Sequence, residues 1–590
     1  MTTPAHTALE RTSPELLACC RGDEPCDTAL VGGFVLNVFT REFLQRDIGL
    51  KGGRIARVAE PGAIEADETV DCADRWLVPG FLDAHMHVES TMLPPSQFVE
   101  LASPHGTTGA VFDPHEIANV LGAKGIRWLM DDARGIPLHA MWGVSSCVPS
   151  APLENAGAEL NADDLRELFD DPDLAPNIVA LAEMMNFPGV VHADPGVLAK
   201  VALGLDRRIV DGHAPGLSGP ALQAYVGAGV SSDHECTTLE EAQEKLALGQ
   251  QIFIREGSAA RNLEALIGLI SAENAHRICF CTDDRHPGDL REHGHIDHVV
   301  RRAIALGLRP ELAFAIGSLH VAEHYRQPDL GAIAPGRFAD ILVLSDRETV
   351  TVEQTWFRGE LVARDGEYRG RRKGSQDPPQ APVRLPESLG PGSFEIRPEC
   401  APERIRVIGM HADQLVTDSL VGPPTVRDGC LVADPEADLL KLAVIERHRG
   451  TGNIGLGFVT GFGFRGGAIA STVGHDAHNL AIVGDDDADM ALAAKTLADC
   501  GGGQCVVSKG RVLAMLPLPI AGLMSDQPAD AVIRQQVELL EASKSLGCPH
   551  HDPFMPLSFL PLPVIPHLKL TDLGLVDVDR FEVVSLAIED

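Results

Sequence analysis

Positive charge is scarce in this sequence. Across 590 residues, 49 Lys and Arg stand against 84 Asp and Glu, a formal net charge of −35. That balance excludes nucleic-acid phosphate and anionic membrane as partners, because both would repel the chain. It suits a neutral or cationic small molecule. No apolar run reaches the length of a membrane span. Residues 1–25 carry Glu10, Glu15, Asp23 and Glu24 and no apolar h-region, so no signal peptide is expected. The thirteen cysteines form no CxxC pair, which argues against a zinc ribbon or a thioredoxin-type site. They read as reduced thiols of a cytoplasmic protein. Aromatics are only 5%, but 44% hydrophobic and 23% charged residues make an ordinary globular composition with ample core material.

What is present centres on Pro79-Gly80-Phe81-Leu82-Asp83-Ala84-His85-Met86-His87. Trp76 to Phe81 reads as a buried strand running on into His85 and His87. Residues two apart in a strand share a face, so the two imidazoles would project together and suit one divalent metal. An isolated HxH is weak evidence, since short motifs often bind nothing. Later strand ends strengthen it. The runs 178–181, 208–210, 229–231 and 277–281 are followed by Glu183, His213, His234 and Asp283. Further strands are expected at 108–112 and 251–254. Asp113 and Pro114 would open a helix with Asp113 as N-cap, and Ile117, Val120, Leu121 and Trp128 fall on one helical face. About eight strand–helix repeats in roughly 250 residues predict an α/β chain built on a (β/α)8 TIM barrel, whose chemistry gathers at the C-terminal strand ends.

The barrel is expected to be inserted into a small β-sandwich. Residues 1–27 read as a loose tail. Residues 28–78 and 331–368 would pair as the composite sandwich around a barrel at 79–330. Residues 369–393, with Arg369 to Lys373 and then five prolines, read as a linker. Residues 394–590 would form an α+β C-terminal domain. Gly461 to Gly466 fits GxGxxG but precedes a strand-like run, so a dinucleotide site is not expected. Gly474-His475-Asp476-Ala477-His478-Asn479 is dense in ligand-type side chains. It would either bind an accessory metal, close over the barrel mouth, or simply cap local backbone.

The stretches PGFLDAHMHVEST (79–91), FDPHEIANVLG (112–122), AEMMNFPGV (182–190), DGHAPG (211–216), SDHECTT (232–238), CTDDRHP (281–287) and HRGTGNIGLGFVTGFGFRGGAIASTVGHDAHNL (448–480) carry a resemblance. They resemble the binuclear-metal amidohydrolase superfamily and, within it, the bacterial adenine deaminase family. The resemblance covers nearly the whole chain after about residue 28. Ile316 to His320 departs from the family's usual Thr-x-Asn-like run, which touches only an expected peripheral loop. The H-x-E…P-C-x-x-C pattern of the other deaminase class is absent.

The resemblance implies two divalent metal ions, manganese or iron. His85 and His87 would hold one, His213 and His234 the other, with Glu183 bridging and Asp283 binding a metal and the nucleophilic water. A bound metal would lower that water's pKa towards ~7. Asp283 would move the proton to departing ammonia. Glu116 or His115 would protonate the purine ring, although Glu116 reads equally as a first-turn acid favoured by the helix dipole. Glu89, Ser90, Asp284, Arg285 and His286 are pocket candidates, and the last three read equally as residues paired on the surface. The implied substrate is adenine, in a homodimer; the alternative is another amidohydrolase reaction on a cyclic amide or a different nucleobase.

Overall fold

The computed structural model describes residues 9–258, 260–374, 376–398, 400, 402–411 and 415–588. Eight short parallel strands form its centre: β1 Phe81–Met86, β2 Thr107–Phe112, β3 His139–Ser145, β4 Ile178–Met184, β5 Ile209–Gly212, β6 Ser232–Asp233, β7 Gln251–Arg255 and β8 Ile278–Cys281. Ladders join β1 to β5 and β6 to β8. A bridge from Val210 to Val230 and another from Met86 to Asp283 close the ring. Nearly every residue of β1, β2, β4, β7 and β8 is buried, as both faces of a parallel barrel require.

Several expected boundaries are corrected. Trp76–Pro79 and Phe81–Met86 are two strands in two sheets, not one. Gly80 is the seam. Its N–H donates to the Asp340 carbonyl at 3.0 Å, and a Cβ there would lie 2.2 Å from Thr108 Oγ1. Asp113 caps nothing; it accepts from Ser145 Oγ at 2.9 Å. The helix beyond it breaks at Gly122 into His115–Leu121 and Ala123–Asp132, with Gly122 at φ 60°. Ile316 to His320 is no peripheral loop. It is buried beneath β1, where the Gly317 carbonyl accepts from Leu82 N at 2.9 Å.

Two sheets flank the barrel. One holds only strands from 26–71, in the order Arg54–Ala59, Asp47–Lys51, Cys26–Val31, Ala66–Asp71. The other interleaves Phe34–Asn37, Glu42–Gln45 and Trp76–Pro79 with strands from 341–368, through the antiparallel pairing of Leu77 with Val343. Leu30, Val35, Ile48, Leu77, Val343 and Trp356 pack between them. Among the described residues, the expected loose tail contains a capped helix, Pro14–Arg21. Ser13 accepts from Leu16 N, and Leu16 and Cys19 bury against Cys26 and Ala56. Residues 1–8 lie outside the described residues.

The 369–393 segment touches both halves: Arg384 N donates to the Arg447 carbonyl at 2.9 Å in the C-terminal half. Lys373 Nζ donates to the carbonyls of Asp131 and Asp132 (2.9 and 2.8 Å) at the end of one helix. Beyond it, eight strands form a mainly antiparallel sheet from Ile405 to Pro517, with helix Asp487–Asp499 on one face. The other face joins the barrel: Phe112 and Trp142 belong to the same apolar core as Phe462, Leu516 and Leu557. That shared core fixes the C-terminal half over the barrel mouth. Among the described residues no helix is long and apolar enough to cross a membrane.

Candidate metal centre

The C-terminal ends of the strands converge on one buried cluster. His85 is the penultimate residue of β1 and His87 follows the strand. Their Nε2 atoms each lie 3.4 Å from Asp283 Oδ1. Asp283 sits just beyond β8 with φ 57°, a left-handed conformation that Asp tolerates better than most residues. Its N–H donates to His85 O and its carbonyl accepts from His87 N. Barrel closure therefore holds the residue in place.

Glu183 lies near the end of β4, with its two oxygens divided. Oε1 is 3.3 Å from His87 Nε2; Oε2 is 2.9 Å from His213 Nδ1 and 3.3 Å from His234 Nε2. One carboxylate thus faces both histidine pairs. His85 also stacks on His234, with ring centroids 4.2 Å apart. Burial works against charge on Glu183 and Asp283. The imidazoles around Glu183, and Arg255 with His85 and His87 around Asp283, outweigh it and hold both well below the ordinary carboxylate range.

These donors fit divalent cations. His85 with His87 and Asp283, His85 with Glu183 and His234, and His213 with His234 and Glu235 each bring one ligand atom apiece within 4.8 Å of one another. His85 Nε2 is buried without a hydrogen-bond partner. An orphaned imidazole nitrogen aimed at carboxylates is what a metal ligand looks like before its ion is added.

Three neighbours went unassigned in the sequence. Arg255, at the end of β7, donates to Glu235 and to Asp283 and so joins the two carboxylates. Glu235 follows His234 and lies 3.7 Å from His213 Nδ1. Asp113 follows β2, and the His87 ring Nδ1 meets its carbonyl oxygen at 3.0 Å. The signal was available: each is a charged residue at the end of a barrel strand.

The other expected residues divide. Glu89, Ser90, Asp284 and His286 line a small cavity beside the cluster, together with His475 and Gln504 from the C-terminal half. Glu89 Oε1 accepts from Ile117 N at 3.0 Å; its Oε2 is buried and unpartnered. Burial pushes its carboxyl up to about 7. Ser90 Oγ donates to Asp284. Arg285 is not in this cavity; it points beneath the barrel rim, where it donates to the Glu256 carbonyl at 3.1 Å.

Glu116 is clamped from the C-terminal half, by His475 Nδ1 at 2.6 Å on one oxygen and by His478 Nε2 on the other. Burial opposes its charge, but His475 and His478 hold it well below the ordinary range. His475 is pushed up to about 9, chiefly by Glu116 against the cost of burial, and it stacks on Phe559 at 4.4 Å. Burial holds His478 down at about 4. His115 lies 3.7–3.8 Å from Asp113, Glu183 and Asp476. Burial raises Asp476 to about 6, with His115 opposing. Asn479 serves the backbone, donating to Asn155 O at 2.8 Å.

A parallel eight-stranded barrel whose strand ends gather four imidazoles around a shared carboxylate and an aspartate defines a metal-dependent hydrolase of the amidohydrolase class. Residues 76–362 match the model of the Amidohydrolase family, and residues 414–582 match the adenine deaminase C-terminal domain. Among curated relatives, the adenine deaminase of Desulfatibacillum aliphaticivorans is 47% identical over 573 residues, covering 97% of this chain and 99% of that one. Those of Cereibacter sphaeroides (45%, covering 98% and 100%) and Methanothrix thermoacetophila (43%, covering 98% and 99%) match at similar length. The chain belongs to the adenine deaminase family.

Proposed function

We propose that this protein hydrolyses the exocyclic C6–N bond of adenine, taking up water and releasing hypoxanthine and ammonia. The observation that carries the reading is the division of the Glu183 oxygens between His87 and the His213–His234 pair, with Asp283 beside both. The full-length match to adenine deaminases selects the substrate.

Two divalent ions, manganese or iron, would be held by His85, His87, Glu183, His213, His234 and Asp283, and would supply a water acidified towards neutrality. Asp283 accepts the proton of the attacking water and returns it to the leaving nitrogen. Arg255 keeps Asp283 ionised and aimed. Glu235, on the same guanidinium, fixes Arg255 in turn.

The ring-protonating role moves from Glu116. A carboxylate accepting from two imidazoles has no proton to give. Glu89 takes the role, because it lines the cavity beside the cluster and its buried Oε2 has no hydrogen-bond partner. Ser90 and Asp284 opposite it offer a polar edge for ring nitrogens. His115, set among three carboxylates, positions Glu183 and Asp476. The barrel of residues 79–330 carries the metals. The C-terminal half, through His475, covers the substrate and excludes water, which strengthens every charge interaction inside.

All thirteen cysteines are free thiols, which supports a cytoplasmic location. A homodimer is the assembly we propose, to be checked by sedimentation. The activity test is ammonia release from adenine, adenosine, guanine and cytosine with manganese present. Release from adenine alone is the expected result; its absence with two metals bound would overturn the reading.

A further inference from the structure

A second cavity lies away from the candidate metal centre. It opens at the opposite end of the barrel, about 580 Å³ in volume, within the range of small-molecule sites. Its walls are the N-terminal ends of β3, β4 and β5, residues 325–330, Phe338, Arg11 and Arg358. Ile178 lies in the wall and Glu183 lies five residues further along β4. The cavity and the metal centre are therefore separated by on the order of 16 Å of strand.

Its charge runs against that of the molecule. Arg11, Arg207, Arg208, Arg326 and Arg358 are five of its 20 lining residues, and Asp329 is the one carboxylate among them. The chain as a whole has 49 Lys and Arg in 590 residues, about one in twelve, and a net charge of −35. Carboxylates account for three of these guanidinium groups: Arg11 pairs with Asp329 at 3.1 Å, Arg207 with Asp170 at 2.9 Å and Arg358 with Glu10 at 3.0 Å. Two remain. Arg208 bonds only to backbone carbonyls, Ile178 O at 2.6 Å, Ala175 O at 2.9 Å and Arg207 O at 2.8 Å. Arg326 has no ion pair or side-chain hydrogen bond among the described residues.

The floor is apolar. Met141, Val179, Leu330 and Phe338 are buried there beside Tyr325. Two guanidinium groups without counter-ions above an apolar floor match a ligand with an anionic head and a flat, weakly polar body. Guanidinium is the side chain best shaped for phosphate oxygens. The volume corresponds to roughly twenty waters at about 30 Å³ each, far more than a free phosphate ion fills.

We infer that this base cavity is a second ligand site, which takes a phosphate monoester of about nucleoside-monophosphate size on Arg208 and Arg326. The inference is independent of the reaction assigned to the metal centre.

The test is calorimetric titration of the metal-loaded full chain with adenosine monophosphate, adenosine and inorganic phosphate. Adenosine monophosphate is expected to saturate one site per chain, and adenosine, lacking the anion, is expected not to. Arg326→Gln should weaken the nucleotide roughly tenfold or more, the loss typical of a charge-assisted pair, with kcat/KM for adenine within about twofold of wild type. Arg208→Gln should do the same; Arg326→Gln carries the test if loss of the carbonyl contacts unfolds that variant. Inorganic phosphate binding as tightly as the nucleotide would support the anion site and make the free ion its ligand. No saturable binding of either phosphate species, or nucleotide binding unchanged in Arg326→Gln, would overturn the proposal.

Discussion

The clamp on Glu116 makes a quantitative prediction for His475→Ala. His475 stands at about 9 in the fold against an ordinary value near 6.5. That difference corresponds to about 3 kcal/mol. This agrees with the 3–5 kcal/mol typical of breaking a buried ion pair. The depressed carboxyl of Glu116 describes the same pair and is counted once. The two partners set the pH window. A histidine with a raised pKa contributes fully below about 6.5, and that contribution is lost as pH rises through about 9. A carboxyl with a depressed pKa contributes above its unfolded value of about 4.3 and loses its contribution as pH falls further. The pair therefore stabilises most between about pH 5 and 6.5. Scanning calorimetry of the metal-loaded protein should show His475→Ala lowering the first Tm by about 6–12 °C near pH 6, for a unit of roughly 200 residues. Near pH 9.5 the difference should shrink by more than half. A drop below about 1 °C near pH 6, or an equal drop at both pH values, would refute the ion pair as the tie between barrel and C-terminal half.

Three other outcomes follow from the site. Asp283→Asn should keep much of its metal but lose on the order of 10²–10⁴ in kcat, because an amide cannot take the water's proton; elemental analysis beside ammonia release checks both. Arg255→Met should weaken metal affinity about 10–100-fold, since it frees Glu235 and Asp283 from their shared guanidinium; competition with a chelator measures it. Glu89→Gln should lower kcat/KM by about 10²-fold or more with metal content unchanged; near-normal turnover would remove Glu89 as the ring's proton donor.

The clustering of these strand-end residues was legible in the chain because barrels impose a simple rule: polar residues that end buried strands face one mouth. His85, His87, Glu183, His213, His234 and Asp283 each follow an apolar run, and the structure brings them together. Strand ends with weaker local signals escaped notice. Arg255 follows Gln251–Ile254, a run read only as a strand. β3, Met141 and Trp142 included, was not set apart from the loops around it. Asp113 looked like a helix cap because Asp-Pro before a helical run is a common start, and the pull of Ser145 from a neighbouring strand cannot be seen locally.

Hydrophobic period and strand-end residue types therefore determined the barrel and the end where its candidate ligands gather, and the resemblance of its motifs implied the class of reaction, since these depend on residues near one another in sequence. Tertiary structure alone decided which carboxyl is pushed up and which is held down. Glu89 and Glu116 are both glutamates beside the same mouth. One has a single backbone donor and an empty oxygen; the other is held by two imidazoles from more than 350 positions away, at separations of 359 and 362 residues. A carboxyl's charge depends on its desolvation and its partners, and for Glu116 those partners meet only when the C-terminal half closes over the barrel.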